Sequence, residues 1–201
     1  MLFTFASSVC RMRKITAVEN VSLDGVMQAP ASPDEDTRNG FSRGGWASAL
    51  LMADPAAAQA AFAGSGGPSA MLFGRRTYDQ LVGYWLSTDQ PNPFTQVLRD
   101  THKFVATSNP ELEHPNSEAL EGDIVEAVRR LEGDIVVLGS GMLVRTLAAA
   151  GLIDEYVLTT LPVVLGEGTR LFGETYAPLT VTKSFTSETG IVVATYAVTK
   201  G

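Results

Sequence analysis

The 201-residue chain predicts an α/β fold: a mostly parallel sheet flanked by helices and closed by a C-terminal antiparallel hairpin. Two strand–glycine–helix units and one terminal hairpin predict it. Ala70–Leu81 opens as an apolar run, breaks at Gly74, and turns into a helix start from Thr77. Asp134–Leu138 repeats the pattern through Gly139-Ser140-Gly141, ahead of an amphipathic helix carrying Leu143, Leu147 and Ala150. At the end, Leu179–Ser187 and Ile191–Thr199 alternate and are joined through Glu188-Thr189-Gly190, a hairpin signal.

Size and composition bound the answer. The length suits one domain, read as 12–201, with residues 1–11 as a poorly ordered extension outside the pattern. That leading segment has no basic region ahead of its apolar run, which argues against a secretory signal. No apolar run approaches the ~20 residues a membrane span needs. A net charge of −7 argues against a general nucleic-acid or anionic-membrane binder. One cysteine, Cys10, excludes an internal disulfide and fits a cytoplasmic protein. Two histidines and that cysteine make no usual zinc site, so no metal is expected.

In chain order, Lys14–Val21 reads as a strand and Ser22-Leu23-Asp24-Gly25 as the turn out of it. Glu19 and Asn20 are polar among apolar neighbours. They mark either a half-exposed strand or a strand end facing a ligand, where open α/β sheets bind. Val26 to Gly45 shows no periodicity and is too long for a passive connection. It is functional or disordered; Phe41 and Trp46 favour a loop that packs, and it reads as a lid. Asp34-Glu35-Asp36 lacks calcium-loop spacing and reads as a solvated turn.

Asp54-Pro55 starts an alanine-rich helix, and that N-cap role competes with any use of Asp54 at a site. Gly83–Pro93 reads as a second irregular loop, Pro93–Asp100 as a short helix and Lys103–Ala106 as a strand. Asp123 and Glu126 have capping-box spacing ahead of Ile124–Leu131. Glu155–Leu161 is a strand stopped by Pro162.

A strand that breaks at glycine into a helix aims free backbone N–H groups at a possible anion. Arg75 and Arg76 in such a turn suit a phosphate; taken alone, they equally fit two solvated charges. The second unit is not the G-x-G-x-x-G fingerprint, since Val144 stands where its third glycine would be. No P-loop and no G-x-S-x-G elbow is present, so hard chemistry would have to come from a cofactor.

Phe73-Gly74-Arg75-Arg76-Thr77, Val105-Ala106-Thr107-Ser108-Asn109-Pro110 and Leu138-Gly139-Ser140-Gly141, in this order, resemble the dihydrofolate reductase superfamily. Ser22-Leu23-Asp24-Gly25, Ala150-Gly151-Leu152-Ile153-Asp154-Glu155 and Pro162–Gly168 resemble more closely the reductase half of the bifunctional riboflavin-biosynthesis deaminase–reductase and its stand-alone bacterial relatives. Leu138 stands where that half usually has a glutamate, and Ser140 replaces its second glycine.

The resemblance implies a dihydrofolate-reductase-like fold and an NADPH-dependent reductase acting on a small pteridine- or pyrimidine-like heterocycle or a carbonyl-type substrate. It implies Gly74, Arg75, Arg76 and Thr77 at the cofactor phosphates, and Thr107 and Ser108 beside the adenosine. Gly139, Ser140, Gly141, Met142 and Leu143 would lie under the pyrophosphate. Glu19, Asn20 and Asp24 are the candidates to orient substrate or relay a proton, and Met27, Trp46 and Asp54 the candidates to border it. Relatives of this kind commonly form homodimers. The alternative is a non-catalytic nucleotide-binding or interaction protein on the same fold, because the pterin-holding carboxylate of dihydrofolate reductases has only Asp54 as a counterpart.

Overall fold

A computed structural model describes residues 13–64, 69–173 and 176–199. The segment 1–11 therefore lies outside the described residues. Eight strands form one sheet: β1 (Ile15–Ser22), β2 (Ala70–Gly74), β3 (His102–Ala106), β4 (Ser117–Leu120), β5 (Ile135–Leu138), β6 (Glu155–Leu161), β7 (Leu179–Thr186) and β8 (Val192–Val198). Their spatial order is β4-β3-β2-β5-β1-β6-β8-β7. Every pairing from β4 to β6 is parallel, and β8 joins β6 and β7 antiparallel. The terminal hairpin thus closes one side of a parallel sheet.

The central strands are buried on both faces, as near-continuous apolar runs require. One face of β1, β5 and β2 (Ile15, Ala17, Val137, Leu72) packs against Leu143, Val144 and Leu147 of α6 (Gly141–Ala149) and Val128 of α5 (Ile124–Arg130). The other face divides in two. Met71 and Phe73 pack on Tyr78 and Val82 of α3, the helical segment 75–87, and on Leu98 of α4 (Pro93–Asp100). Val157 and Val193 pack on Ala57 of α2 (Pro55–Gly64), which follows the short α1 (Ser48–Ala53).

The structure corrects the sequence reading in three places. Gly83–Pro93 is not a loop throughout, because α3 runs to Ser87 across a π turn at Tyr78–Val82. Trp85 caps this extension by packing edge-on against Phe94 of α4. Strand β4 and helix α1 had no periodic signal: β4 is a partly exposed edge, and α1 has no fully buried residue. Lys103, fully buried in β3, donates through Nζ to the carbonyls of Leu98 (2.7 Å) and Thr101 (2.8 Å) and so closes the end of α4. Burial pushes its ammonium below the ordinary lysine range. No helix among the described residues is long and apolar enough to cross a membrane.

Candidate active site

The β1–β5 ladder ends at Val18 opposite Leu138, where the Gly139 N–H donates to the Val18 carbonyl at 3.2 Å. β1 itself runs on to Ser22. A crevice therefore opens above the end of β5, between β1 and β2, the place where parallel sheets bind ligands. Helices α3 and α6 leave it on opposite faces and present their first turns to it. The first amides of a helix have no partner within the helix and carry its positive dipole end.

These two turns interlock. Ser140 Oγ accepts from the Gly74 N–H at 2.8 Å and donates to Thr77 Oγ1 at 2.8 Å. Gly139 stands in the left-handed region (φ +58°), which disfavours a side chain, and a Cβ there would stand 3.0 Å from Thr77 Cγ2, closer than ordinary contact. A Cβ on Gly141 would stand 1.8 Å from Sδ of Met27, which packs across the start of α6. The structure thus brings Met27, Gly74, Thr77, Gly139, Ser140 and Gly141 together. Met142 is exposed, and Leu143 is buried in the core.

Both arginines are drawn into local pairs. Arg75 bonds Asp79 through Nε at 2.9 Å and reaches the carbonyls of Asn109 (3.3 Å) and Glu111 (3.0 Å). It thereby ties α3 to the segment after β3, where Thr107 and Ser108 lie. Arg76 pairs with Asp36 at 2.9 Å. Partly exposed pairs of this kind contribute about 0–1 kcal/mol, so an incoming anion could exchange with them.

The 26–46 segment is ordered by its own contacts. Val26, Ala29, Phe41 and Leu165 form a small apolar cluster against which Trp46 packs, its Nε1 donating to the Gln28 carbonyl at 2.8 Å. Gln28 Nε2 donates to the carbonyls of Asp36 and Arg38 (3.0 Å each), while its Oε1 accepts from Thr169 N at 2.9 Å. The far end of the loop docks on α3 through Arg76–Asp36 and through Gln80 Nε2 to the Glu35 carbonyl at 2.8 Å. The acidic triplet is therefore not a solvated turn. Asp34 is exposed, but Glu35 is half-buried and accepts from the Ala31 and Ser32 amides. Asp36 is held down to about 2, chiefly by its hydrogen bonds with Arg38.

Two candidate carboxylates serve the scaffold. Asp24 accepts from the amides of Leu165 (3.0 Å) and Gly166 (2.9 Å) and from Ser22 Oγ (2.7 Å), which hold it ionised far below the usual carboxylate range. Asp54 accepts from the Ala57 amide at 3.0 Å as N-cap of α2 and from Thr189 Oγ1 in the terminal hairpin. Hydrogen bonds from Ser187, Thr189 and the Ala57 amide keep it ionised.

Glu19 differs from both. It is 5% exposed, and its Oε1 finds no hydrogen-bond partner among the described residues. Burial, reinforced by Glu35, raises its pKa from the ordinary 4.5 to about 8. Asn20, on the opposite face of β1, is half-buried beside Thr159 of β6. Glu35, Asp36 and Gln80 were missed as functional residues. The two acids had one sequence signal, a charged triplet inside a long aperiodic loop, and Gln80 on α3 had none.

The model of the family described as RibD C-terminal domain matches residues 13–193. The uncharacterized protein YyaP of Bacillus subtilis (strain 168) is 32% identical over 109 residues, 51% of this chain and 58% of that protein. The chain thus spans less than two thirds of this relative. Among solved structures, one similar protein comes from Shewanella sp. PV-4, its role in riboflavin biosynthesis itself only proposed. It has a TM-score of 0.64 at 19% identity, covering 93% of this chain and 99% of that one. Dihydrofolate reductase from Enterococcus faecalis, complexed with NADP(H), gives a TM-score of 0.53 at 14% identity, covering 93% and 97%. At such identities these two likenesses show a dihydrofolate-reductase-like fold.

The raised Glu19 pKa makes a stability prediction. The folded state binds this proton more tightly than the unfolded chain. Stability from this group is therefore fully present below about pH 4.5 and falls by about 1.4 kcal/mol per unit as pH rises toward about 8. Urea unfolding at both ends of that window should show E19Q gaining on the parent chain at the alkaline end. Parallel pH profiles for the two proteins would mean that Glu19 is ionised in the fold.

Proposed function

Because the chain belongs to the RibD C-terminal domain family, we propose that it is an NADPH-dependent reductase acting on a small pteridine- or pyrimidine-like heterocycle or a carbonyl-type substrate. The reductase type of this family supports the reaction class. The observation that carries the cofactor reading is the interlocked pair of turns, Gly74–Thr77 and Gly139–Gly141, at the crevice. Two helix starts with small residues converge there, and Arg75 and Arg76 at the start of α3 hold partly exposed carboxylate pairs that a phosphate would exchange with. These features fit a dinucleotide diphosphate.

When bound, the reduced nicotinamide supplies hydride. The residues of the chain do the rest. The first amides of α6, at Gly141, Met142 and Leu143, and the Thr77 hydroxyl would hold the diphosphate, with Ser140 keeping the two turns joined beneath it. Arg75 and Arg76 would take the 2′-phosphate, and Thr107 and Ser108 would border the adenosine. Met27, lying across Gly141, would flank the ring end, while the 26–46 loop would exclude water. One observation keeps a non-catalytic nucleotide-binding role open: Asp54 is committed to α2 and the hairpin, and so is withdrawn from holding a pterin.

A second copy of the chain is proposed as partner, against β7. That edge strand is exposed along almost its whole length and turns Val181 and Leu179 to solvent. Sedimentation at micromolar concentration should show a dimer; a 21.4 kDa species alone would refute it.

Titration of both cofactors tests the phosphate assignment. A charge-assisted contact with the 2′-phosphate contributes roughly 1.5–3 kcal/mol, so NADPH should bind about tenfold to over a hundredfold more tightly than NADH. R76A or R75A should narrow that gap while leaving NADH binding nearly unchanged. D36N, which frees Arg76 from its carboxylate, should tighten NADPH. If neither arginine variant narrows the gap, the two arginines do not hold the phosphate.

A further inference from the structure

Glu19 is the one candidate carboxyl that the scaffold leaves without a task. Asp24 and Asp54 are each satisfied by amides and hydroxyls, whereas a buried oxygen of Glu19 has no partner among the described residues. Buried polar atoms are nearly always paired, and an orphan one residue past the end of the β1–β5 ladder, beside the crevice, calls for a ligand. Its position supports this. Ile15, Ala17 and Val21 point to the face covered by α6, so the two-residue period of the strand sends Glu19 to that face as well. Glu19 follows Val18, whose carbonyl accepts from Gly139, so its side chain starts beside the turn that leads into α6.

We propose that Glu19 is the proton donor of the reaction centre, its neutral carboxyl standing beside the ring end of the bound nicotinamide. This rests on the cofactor reading above. One C–H bond of the reduced nicotinamide breaks as its hydride forms a new C–H bond at the carbon of a C=N or C=O group, and the π pair moves to the heteroatom. That atom takes the proton from the Glu19 carboxyl: one O–H bond breaks and one N–H or O–H bond forms. The nicotinamide is oxidised by two electrons, and the substrate is reduced by two. The Glu19 carboxylate left behind regains a proton from water.

Charged groups around Glu19 set its state. Glu35, on the loop packed over the crevice, is the neighbour that acts on it directly, and Glu35 is in turn flanked by Asp36 and Arg76. Facing β6 contributes Leu158 opposite Glu19; its carboxylate Glu155 is near the other end, paired with Lys14. Burial and Glu35 act together to keep the proton on Glu19 at neutral pH. Glu35 is thus a positioning residue, acting through Glu19.

The oxidised and reduced cofactors distinguish this role without any substrate. Only NADP⁺ carries a positive ring, and an opposite charge at contact lowers a carboxyl pKa by about 1–3 units. Calorimetry of the whole protein at neutral pH, in two buffers of different ionisation enthalpy, reads the protons released on binding. NADP⁺ should release roughly half a proton or more beyond NADPH. The 2′-phosphate is common to both and cancels. E19Q should abolish the difference. E35Q should move its pH midpoint downward, and it stands as the second test if E19Q does not fold. Equal release by both cofactors, or a difference that survives E19Q, would overturn the proposal. Failure of both cofactors to bind would instead overturn the cofactor reading, and the proposal with it.

Discussion

The site depends on one hydroxyl. Ser140 Oγ sits between two βα turns that leave adjacent strands on opposite faces of the sheet, accepting from one and donating to the other. The serine is held at φ +67°, a left-handed conformation that costs a non-glycine residue about 1–2 kcal/mol. Two hydrogen bonds at about 0.5–1.5 kcal/mol each offset that cost. A glycine there would relax the backbone but leave the Gly74 amide and Thr77 hydroxyl unjoined. A serine at this position therefore converts conformational freedom into a fixed distance between two helix starts. Thr77 packs close against Gly139 and the Met27 side chain against Gly141, so the floor of the crevice is closely filled.

Electrostatics then set what can enter. The chain is acidic overall, yet the crevice mouth carries Arg75 and Arg76. Both guanidinium groups already hold a carboxylate, Asp79 for one and Asp36 for the other. Asp36 belongs to the loop that crosses from β1 to α3, so the pair also fastens the loop. A phosphate at Arg76 would compete with that fastening, which links anion binding to the position of the loop and of Glu35 on it. Burial acts in the opposite sense at Glu19 on β1. Arg38 on the loop keeps Asp36 ionised, while burial, reinforced by Glu35 of the same loop, keeps Glu19 neutral, so two carboxyls with ordinary intrinsic acidity are driven far apart.

Much of this was legible in the sequence where one local rule decides the outcome. Gly74 and Gly139 end buried apolar runs, so both strand ends and the helices after them could be placed. Asp54-Pro55 and the 188–190 turn were readable for the same reason. What was lost depends on partners distant in sequence. β4 is a polar edge strand whose only mark is pairing with β3. Gly83 looks like a breaker, yet α3 continues through it because Trp85 finds Phe94. Asp36 reads as solvated until Arg76, on another element, is placed beside it. Asp24 shows no sign in the sequence that the Leu165–Gly166 amides will consume its carboxylate. Glu19 was legible as a polar residue in an apolar strand, but its isolation appears only once every neighbour is in place.

Amide shifts during titration with NADPH test the central claim, that the two joined turns form one cofactor cradle. The account predicts that the largest saturable changes fall on Gly74, Arg76, Gly139, Gly141 and Met142 together, with one common affinity. The contradicting result is binding that leaves these amides unmoved, for example with changes confined to the cleft of Tyr156, Phe172, Ala177 and Leu179 near the terminal hairpin.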